Sequence, residues 1–403
     1  MTCRKNIYEN DCLQPAAWDI SEYGMKKVEF IFFDAGGGHR SAANALKSVV
    51  EEQARPWEVR LFNMQEELDS LDIFKKITRI RFQDLYNRML AKGWTLGSEY
   101  LLPPMHGIIR LFHRGQVKML TDIWRRDQPD LVVSVVPNFN RALFQSVQAA
   151  NPSTPFVTIL TDFADYPPHF WLEDQDHFVI CGTERAYQQA LATGKRPEKT
   201  FLVSGMILRP AFYKPLNHDR AAERRKLGLD PGKRTALMLF GGEGSNAMLK
   251  IARDLQESDL DLQLIAMCGK NTKLADRIRS LPARVPMHVA GFTSEIPYYM
   301  SLSDFFIGKP GPGSISEAIA MKLPVIVQRN AWTLPQERYN ADWVIEKNVG
   351  IVVESFNKIR QAVTELLEPA RFREYQANVA AIDNRAVFEI VDILDRISES
   401  GRG

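Results

Sequence analysis

The stretch DFFIGKPGPGSISEAIAMKLPVIVQ, residues 304–328, decides how this chain is built. It begins with a short apolar run, turns through Gly308, Gly311 and Gly313, continues as SISEAIAMK at helical spacing, and ends in the second apolar run LPVIVQ. A strand that returns through a glycine turn and a helix to another strand is a parallel βαβ unit. Sheets made of such units are covered by helices on both faces.

The same rhythm extends in both directions. RTALMLFGGEG, LDLQLIAMCG and MHVAGF precede the stretch and GIVV follows it. Further upstream, KKVEFIFFDA, WEVRLFNM, PDLVVSVVP, TPFVTILTDF, DHFVICGT and KTFLVSGM are apolar, β-branched runs punctuated by Pro, Gly or Asp. Between the two series lies ILRPAFYKPLNHDRAAERRKLGLDPGKR, residues 207–234, which is polar, highly charged and contains prolines. The reading is α/β, with two Rossmann-like domains whose parallel sheets face an inter-domain cleft. The expected division is an extension at 1–24, a first domain at 25–207, a second at 208–375, and a C-terminal helix at 376–403 that packs back on the first. A chain of 403 residues is long enough for two cores.

Composition narrows the function. Lys plus Arg number 51 against 49 Asp plus Glu, so no global charge selects nucleic acid as a partner. Cys3, Cys12, Cys181 and Cys268 have no C-x-x-C spacing, which fits a reducing compartment and supplies no zinc framework. No apolar run reaches the ~18 to 20 residues that span a bilayer, and the first 24 residues lack the pattern of a secretory signal. A cytoplasmic location is expected.

Open α/β sheets bind ligands beyond the carboxyl ends of their strands, so the loops there carry the candidate chemistry. The first is AGGGHRS, with Gly36, Gly37, Gly38 and then His39. It lacks the third glycine of a dinucleotide fingerprint and the acid that would hold a ribose, which disfavours NAD. His39 at a helix start is expected to stay neutral against the helix dipole and to serve as general base for a substrate hydroxyl. Asp162, and Asp165 beyond it, could orient that ring. The second loop is FGGEGSN, with Gly242, Glu243, Gly244 and Ser245. The third is GKPGPGSISEA, with Gly311, Gly313 and Ser314, and with Ser316 and Glu317 expected in the first turn of the helix. Two bare helix N-termini that converge suit a diphosphate, and Arg209 in GMILRPAF could pair with it. The pairs Asp174/Asp176 and Asp259/Asp261 do not follow strands into these loops and read as solvated charge. No metal site is expected.

AGGGHRSAANAL, TILTDFADYPPHFW, GMILRPAFY, LFGGEGSN, MCGKNTKL, GFTSEIPYYMSLSDFFIGKPGPGSISEAIAMKLPVIV and LPQERYN occur in an order that resembles the monogalactosyldiacylglycerol synthases and related processive diacylglycerol glycosyltransferases, cousins of the enzyme that completes lipid II. The resemblance covers about residues 26–360. It implies a GT-B fold, a UDP-sugar donor held by the C-terminal domain, a lipid acceptor such as diacylglycerol, inversion at the anomeric carbon, and no cofactor or essential metal. By position it makes His39 the base and places Gly242 to Ser245 and Gly313 to Ser314 on the phosphates. Glu317 falls on the ribose, Gly291 and Phe292 beside the uracil, Gln336 and Glu337 on the sugar, and Arg209 near the nucleotide. Pro335 stands where the plant enzymes usually have glycine, which leaves galactose and glucose both open.

A basic, aromatic-rich stretch at 73–120 reads as a surface for anionic membrane. It carries Lys75, Lys76, Arg79, Arg81, Phe74, Phe82 and Trp94 against the acids Asp84 and Glu99. The combined expectation is a hexosyltransferase peripheral to the inner face of a membrane. A UDP-sugar epimerase on the same fold, or a nucleotide-binding protein without turnover, are the alternatives.

Overall fold

The computed structural model describes residues 25–34, 37–68 and 102–400. Two six-stranded sheets, each parallel throughout, organise them. The first holds β1 (Lys26–Phe32), β2 (Trp57–Asn63), β3 (Leu131–Ser134), β4 (Phe156–Ile159), β5 (Phe178–Cys181) and β6 (Thr200–Leu202) in the order β2-β1-β3-β4-β5-β6. The second holds β7 (Arg234–Leu239), β8 (Leu262–Met267), β9 (Met287–Ala290), β10 (Phe305–Gly308), β11 (Val325–Gln328) and β12 (Gly350–Val353) in the order β12-β11-β10-β7-β8-β9. Every strand expected from the sequence is present.

The side-chain period of two sorts each strand onto two cores. Val28, Phe30 and Phe32 of β1 join the layer under the helix Gly38–Glu52, while Ile31 joins Trp124 and Leu143 on the other face. In β7, Ala236 and Met238 pack against Ile251 and Leu255, while Leu237 and Leu239 pack against Ile315 and Ile319. Strands buried on both faces have no polar side to display, and so they read as continuous apolar runs.

The chain passes between domains twice. After β6 it enters the second domain through residues 203–212, and after the helix Pro369–Ala381 it returns as the helix Ala386–Ser400. That last helix buries Val387, Ile390, Val391, Leu394 and Ile397 against the first domain, and its Asp395 bonds Lys26 and Arg55 at 3.0 and 2.7 Å. The two crossings lie side by side: Asn384 Nδ2 donates to the Met206 carbonyl at 2.9 Å, and the Arg385 amide to Ser204 Oγ at 2.7 Å. Phe163 meets Trp343 across the domains with ring centroids 4.9 Å apart.

Among the described residues no helix is long and apolar enough to cross a membrane. The extension at 1–24, Gly36, and residues 73–101 of the expected membrane stretch lie outside the described residues. The end of that stretch falls in the helix Leu102–Asp127, where Gln116 and Leu120 are buried against the first sheet while Arg114 and Lys118 are exposed.

Candidate active site

In each sheet the chain reverses its direction of travel at one strand, and the loops on either side of that reversal part to leave a crevice. In the first sheet β1 lies between β2 and β3, so the loops after β1 and β3 flank it. In the second sheet β7 lies between β8 and β10, so the loops after β7 and β10 do. His39 and the glycine loops at 242–245 and 311–314 stand at these two places, while Asp162, Phe292, Gln336 and Glu337 follow the neighbouring strands β4, β9 and β11 and Arg209 lies in the linker after β6.

The helix Gly38–Glu52 starts at the first crevice. Gly37 is its N-cap with φ 81°, a left-handed turn that glycine adopts without strain, and a Cβ built on Gly37 or Gly38 would meet nothing within 4 Å. Backbone is therefore bare there, and His39 follows in the first turn. Its Nδ1 lies 3.2 Å from Thr161 Oγ1, and its ring centroid is 6.0 Å from that of Trp171. Burial pushes its pKa down to about 4, against the opposing pull of the Val135 carbonyl. The ring is neutral at pH 7 as expected, but desolvation is the leading cause, where the sequence reading had named the helix dipole.

The expected orienting role of Asp162 is corrected. Asp162 accepts a hydrogen bond from Trp171 Nε1 at 2.8 Å, so it braces the indole beside His39, and Thr161 is the residue bonded to the imidazole. Burial raises the Asp162 carboxyl to about 7, with Glu337 and Asp165 adding to the rise. Asp165 builds its own loop, accepting from the amides of His169 and Trp171 at 2.9 and 2.7 Å.

In the second domain the site is made mostly of backbone. Gly241 and Gly244 have φ of 80° and 64°, and Ser245 caps the helix Asn246–Gln256 by accepting from the Ala247 amide. A Cβ on Gly269, after β8, would fall 2.1 Å from the Gly242 carbonyl oxygen, so these two loops touch only because glycine stands there. Glu243 is exposed and pairs with Lys270 at 3.6 Å. Phe292, after Gly291, is 65% exposed, packs near Gly242, and lies 5.5 Å from the Lys270 ammonium. An exposed aromatic beside bare backbone is a fitting face for a nucleobase.

The third loop departs from expectation in one respect. The helix begins at Pro312, with Gly311 as an N-cap lacking any side-chain bond, so Gly313 and Ser314 occupy its first turn and Glu317 its second. Proline favours the first helical position, which moves the start upstream of the run read as helical. Burial raises the Glu317 carboxyl to about 7, partly opposed by Arg209. Arg209 donates to the Ser294 carbonyl at 3.3 Å and stacks on Phe212. Gln336 and Glu337 lie in a 3-10 turn, Pro335–Glu337, that opens the helix Arg338–Glu346. Sequence reasoning missed Lys309, whose Nζ is 3.5 Å from Glu337 Oε1, and Thr161. Both stand one or two residues past a strand end, which is the signal that could have found them. Of the acidic pairs, Asp176 bonds Arg196 and Lys199, and Asp261 bonds Lys233.

Comparison with known proteins bears on the fold and on the second domain. Residues 236–397 match the glycosyltransferase family 28 C-terminal domain. A probable monogalactosyldiacylglycerol synthase of Nicotiana tabacum is 28% identical over 366 residues, which are 85% of this chain and 65% of that one. The chain thus spans about two thirds of that relative's length. Among solved structures, Acinetobacter baumannii MurG superposes with TM-score 0.61 at 12% identity, covering 92% of this chain and 99% of its own. The UDP complex of S. aureus MnaA superposes with TM-score 0.59 at 18% identity, covering 92% and 96%. Residues 236–397 thus match a glycosyltransferase family 28 C-terminal domain, and the chain is similar in sequence along most of its length to the monogalactosyldiacylglycerol synthases and in fold to MurG.

Proposed function

We propose that the protein transfers a hexose, galactose or glucose, from a UDP-sugar to the free hydroxyl of diacylglycerol or a similar lipid, with inversion and without an essential metal ion. The observation that carries this reading is a histidine held neutral by burial at the crevice of one sheet, together with a glycine-built helix start at the crevice of the other. A base and an anion site facing one another suit a single displacement. The name of the tobacco relative supplies the lipid and the sugar class, and the UDP complex of a protein sharing the fold supplies the nucleotide.

In this reading the uracil lies by Gly291 and Phe292, the ribose hydroxyls bond Glu317, and the diphosphate meets the loops Gly242–Ser245 and Gly311–Ser314 with Arg209 nearby. Helix ends and a guanidinium provide the positive field that the diphosphate needs. Gln336 and Glu337 hold the hexose. Nδ1 of His39 rests against Thr161 Oγ1, and in this reading Nε2 faces the acceptor hydroxyl. The hydroxyl oxygen attacks the anomeric carbon, the bond from that carbon to the phosphate oxygen breaks, UDP leaves with the electron pair, and the proton passes to Nε2. An imidazole with pKa near 4 takes that proton only as the attacking oxygen acidifies, so proton transfer accompanies bond formation. A peripheral position at the cytoplasmic face of an anionic membrane fits the cations of the 73–120 stretch.

The test is UDP release from UDP-galactose, UDP-glucose and UDP-N-acetylglucosamine, with and without diacylglycerol in anionic mixed micelles and with and without chelator. Lipid-dependent, chelator-resistant release with one preferred hexose is expected. Conversion of a UDP-sugar without lipid would favour the epimerase, and UDP binding without any release would leave a nucleotide-binding protein.

A further inference from the structure

Lys309 is the first residue after β10, at the crevice that opens between β10 and β7. Its aliphatic stem runs between the two glycine turns: Cε lies 3.5 Å from where a Cβ would sit on Gly311 and 3.9 Å from where one would sit on Gly241. Its ammonium is therefore delivered to the place where both backbone anion sites open. The contact it makes there is loose, 3.5 Å to Glu337 Oε1, with the lysine side chain 47% exposed and the glutamate 12%. The Glu337 carboxylate also helps to raise the Asp162 carboxyl of the first domain, so this lysine pairs with an acid whose charge is felt in both domains.

We propose that Lys309 is an exchangeable counter-charge. Its ammonium screens Glu337, and on binding of a nucleoside diphosphate sugar it moves to the phosphate next to the sugar. Glu337 is then free to accept from the sugar's hydroxyls. A pair 3.5 Å apart whose lysine is half-exposed holds weakly, whereas a diphosphate offers more charge and better acceptors within reach of the same flexible stem. As the anomeric carbon to oxygen bond breaks, the electron pair collects on that phosphate, and a cation already in place stabilises it. The inference rests on the glycosyltransferase reading above and adds the residue that meets the leaving group.

Calorimetric titration with uridine, UMP and UDP tests it, using wild type, Lys309→Met, Lys309→Arg and Glu337→Gln. Lys309→Met is expected to weaken UDP roughly 10- to 100-fold, UMP less, and uridine by less than about twofold, as for loss of one charged contact at the outer phosphate. Lys309→Arg should recover part of the loss. Glu337→Gln should bind UDP as wild type does or more tightly, while weakening the intact UDP-sugar. A salt bridge that merely shapes the loop would give a different pattern. Equal weakening of all three ligands by Lys309→Met, or weakening of UDP by Glu337→Gln, would overturn the exchange, as would unchanged UDP affinity in Lys309→Met. Failure of the wild type to bind UDP would instead overturn the reading beneath it, and this inference with it.

Discussion

The two sides of the cleft use opposite physical means. On the first-domain side titratable side chains are shifted by burial: the partly buried His39 is pushed down to about 4, and the buried Asp162, which braces Trp171, is raised to about 7. On the second-domain side most of the surface is backbone, with left-handed glycines at 241, 244 and 269 and a helix start capped by no side chain at Gly311. A desolvated base changes its proton affinity sharply with its surroundings, which suits chemistry. Backbone amides hold their dipoles at any pH, which suits the grip on an anion. On the proposed reading the two domains divide reaction from retention, and substitutions on the two sides should break different kinetic quantities.

The largest effect is expected from His39→Ala, a loss of roughly 10²- to 10⁴-fold in turnover, the usual worth of a general base. It is checked by steady-state rates at saturating donor. Next comes Gly269→Ala, whose new Cβ would collide with the Gly242 carbonyl oxygen at a φ of 60°. Separation of the two loops should cost about 1–3 kcal/mol in thermal unfolding and weaken UDP binding together with it. Gly313→Ala is the contrast, because nothing lies within 4 Å of its added Cβ, so stability should hold and only ligand affinity should fall.

Glu317→Gln is expected to weaken uridine roughly tenfold at pH 8 through its ribose contacts. Its pH dependence carries a sign. Burial raises the Glu317 carboxyl from 4.5 to about 7, so its contribution to stability is present below pH 4.5 and is lost as pH rises through 7. The free variant should therefore melt higher than wild type at pH 8, with the gain vanishing towards pH 4.5. Uridine affinity in the wild type should rise across pH 7 as the carboxylate forms, and that rise should be absent in the variant. The smallest effect is expected from Thr161→Val, about a tenfold loss of turnover from a misoriented ring, with UDP affinity unaltered. Equal losses of turnover and UDP affinity would give Thr161 a structural role instead.

Much of the fold was legible because parallel strands buried on both faces leave unbroken runs such as DLVVSVV and TALMLF, each closed by glycine or proline. The glycine loops were legible for the same local reason. What stayed hidden depends on partners distant along the chain. Spacing alone did not show that Thr161, 122 residues from His39, would bond its ring, or that Trp171 would occupy Asp162. Lys309 stood inside a quoted motif, yet its value comes from Gly241 and Glu337, which lie in loops that follow other strands. The cause of the neutral His39 was misread because desolvation is a property of the packed loop, while the helix start is visible in the sequence.

The most direct test of this division of labour is to measure turnover and UDP affinity side by side in His39→Ala and Glu317→Gln. The account predicts that His39→Ala loses turnover while its UDP affinity stays within about twofold, and that Glu317→Gln loses UDP affinity while turnover at saturating donor falls far less. A His39→Ala protein that binds UDP as poorly as it turns over would contradict it.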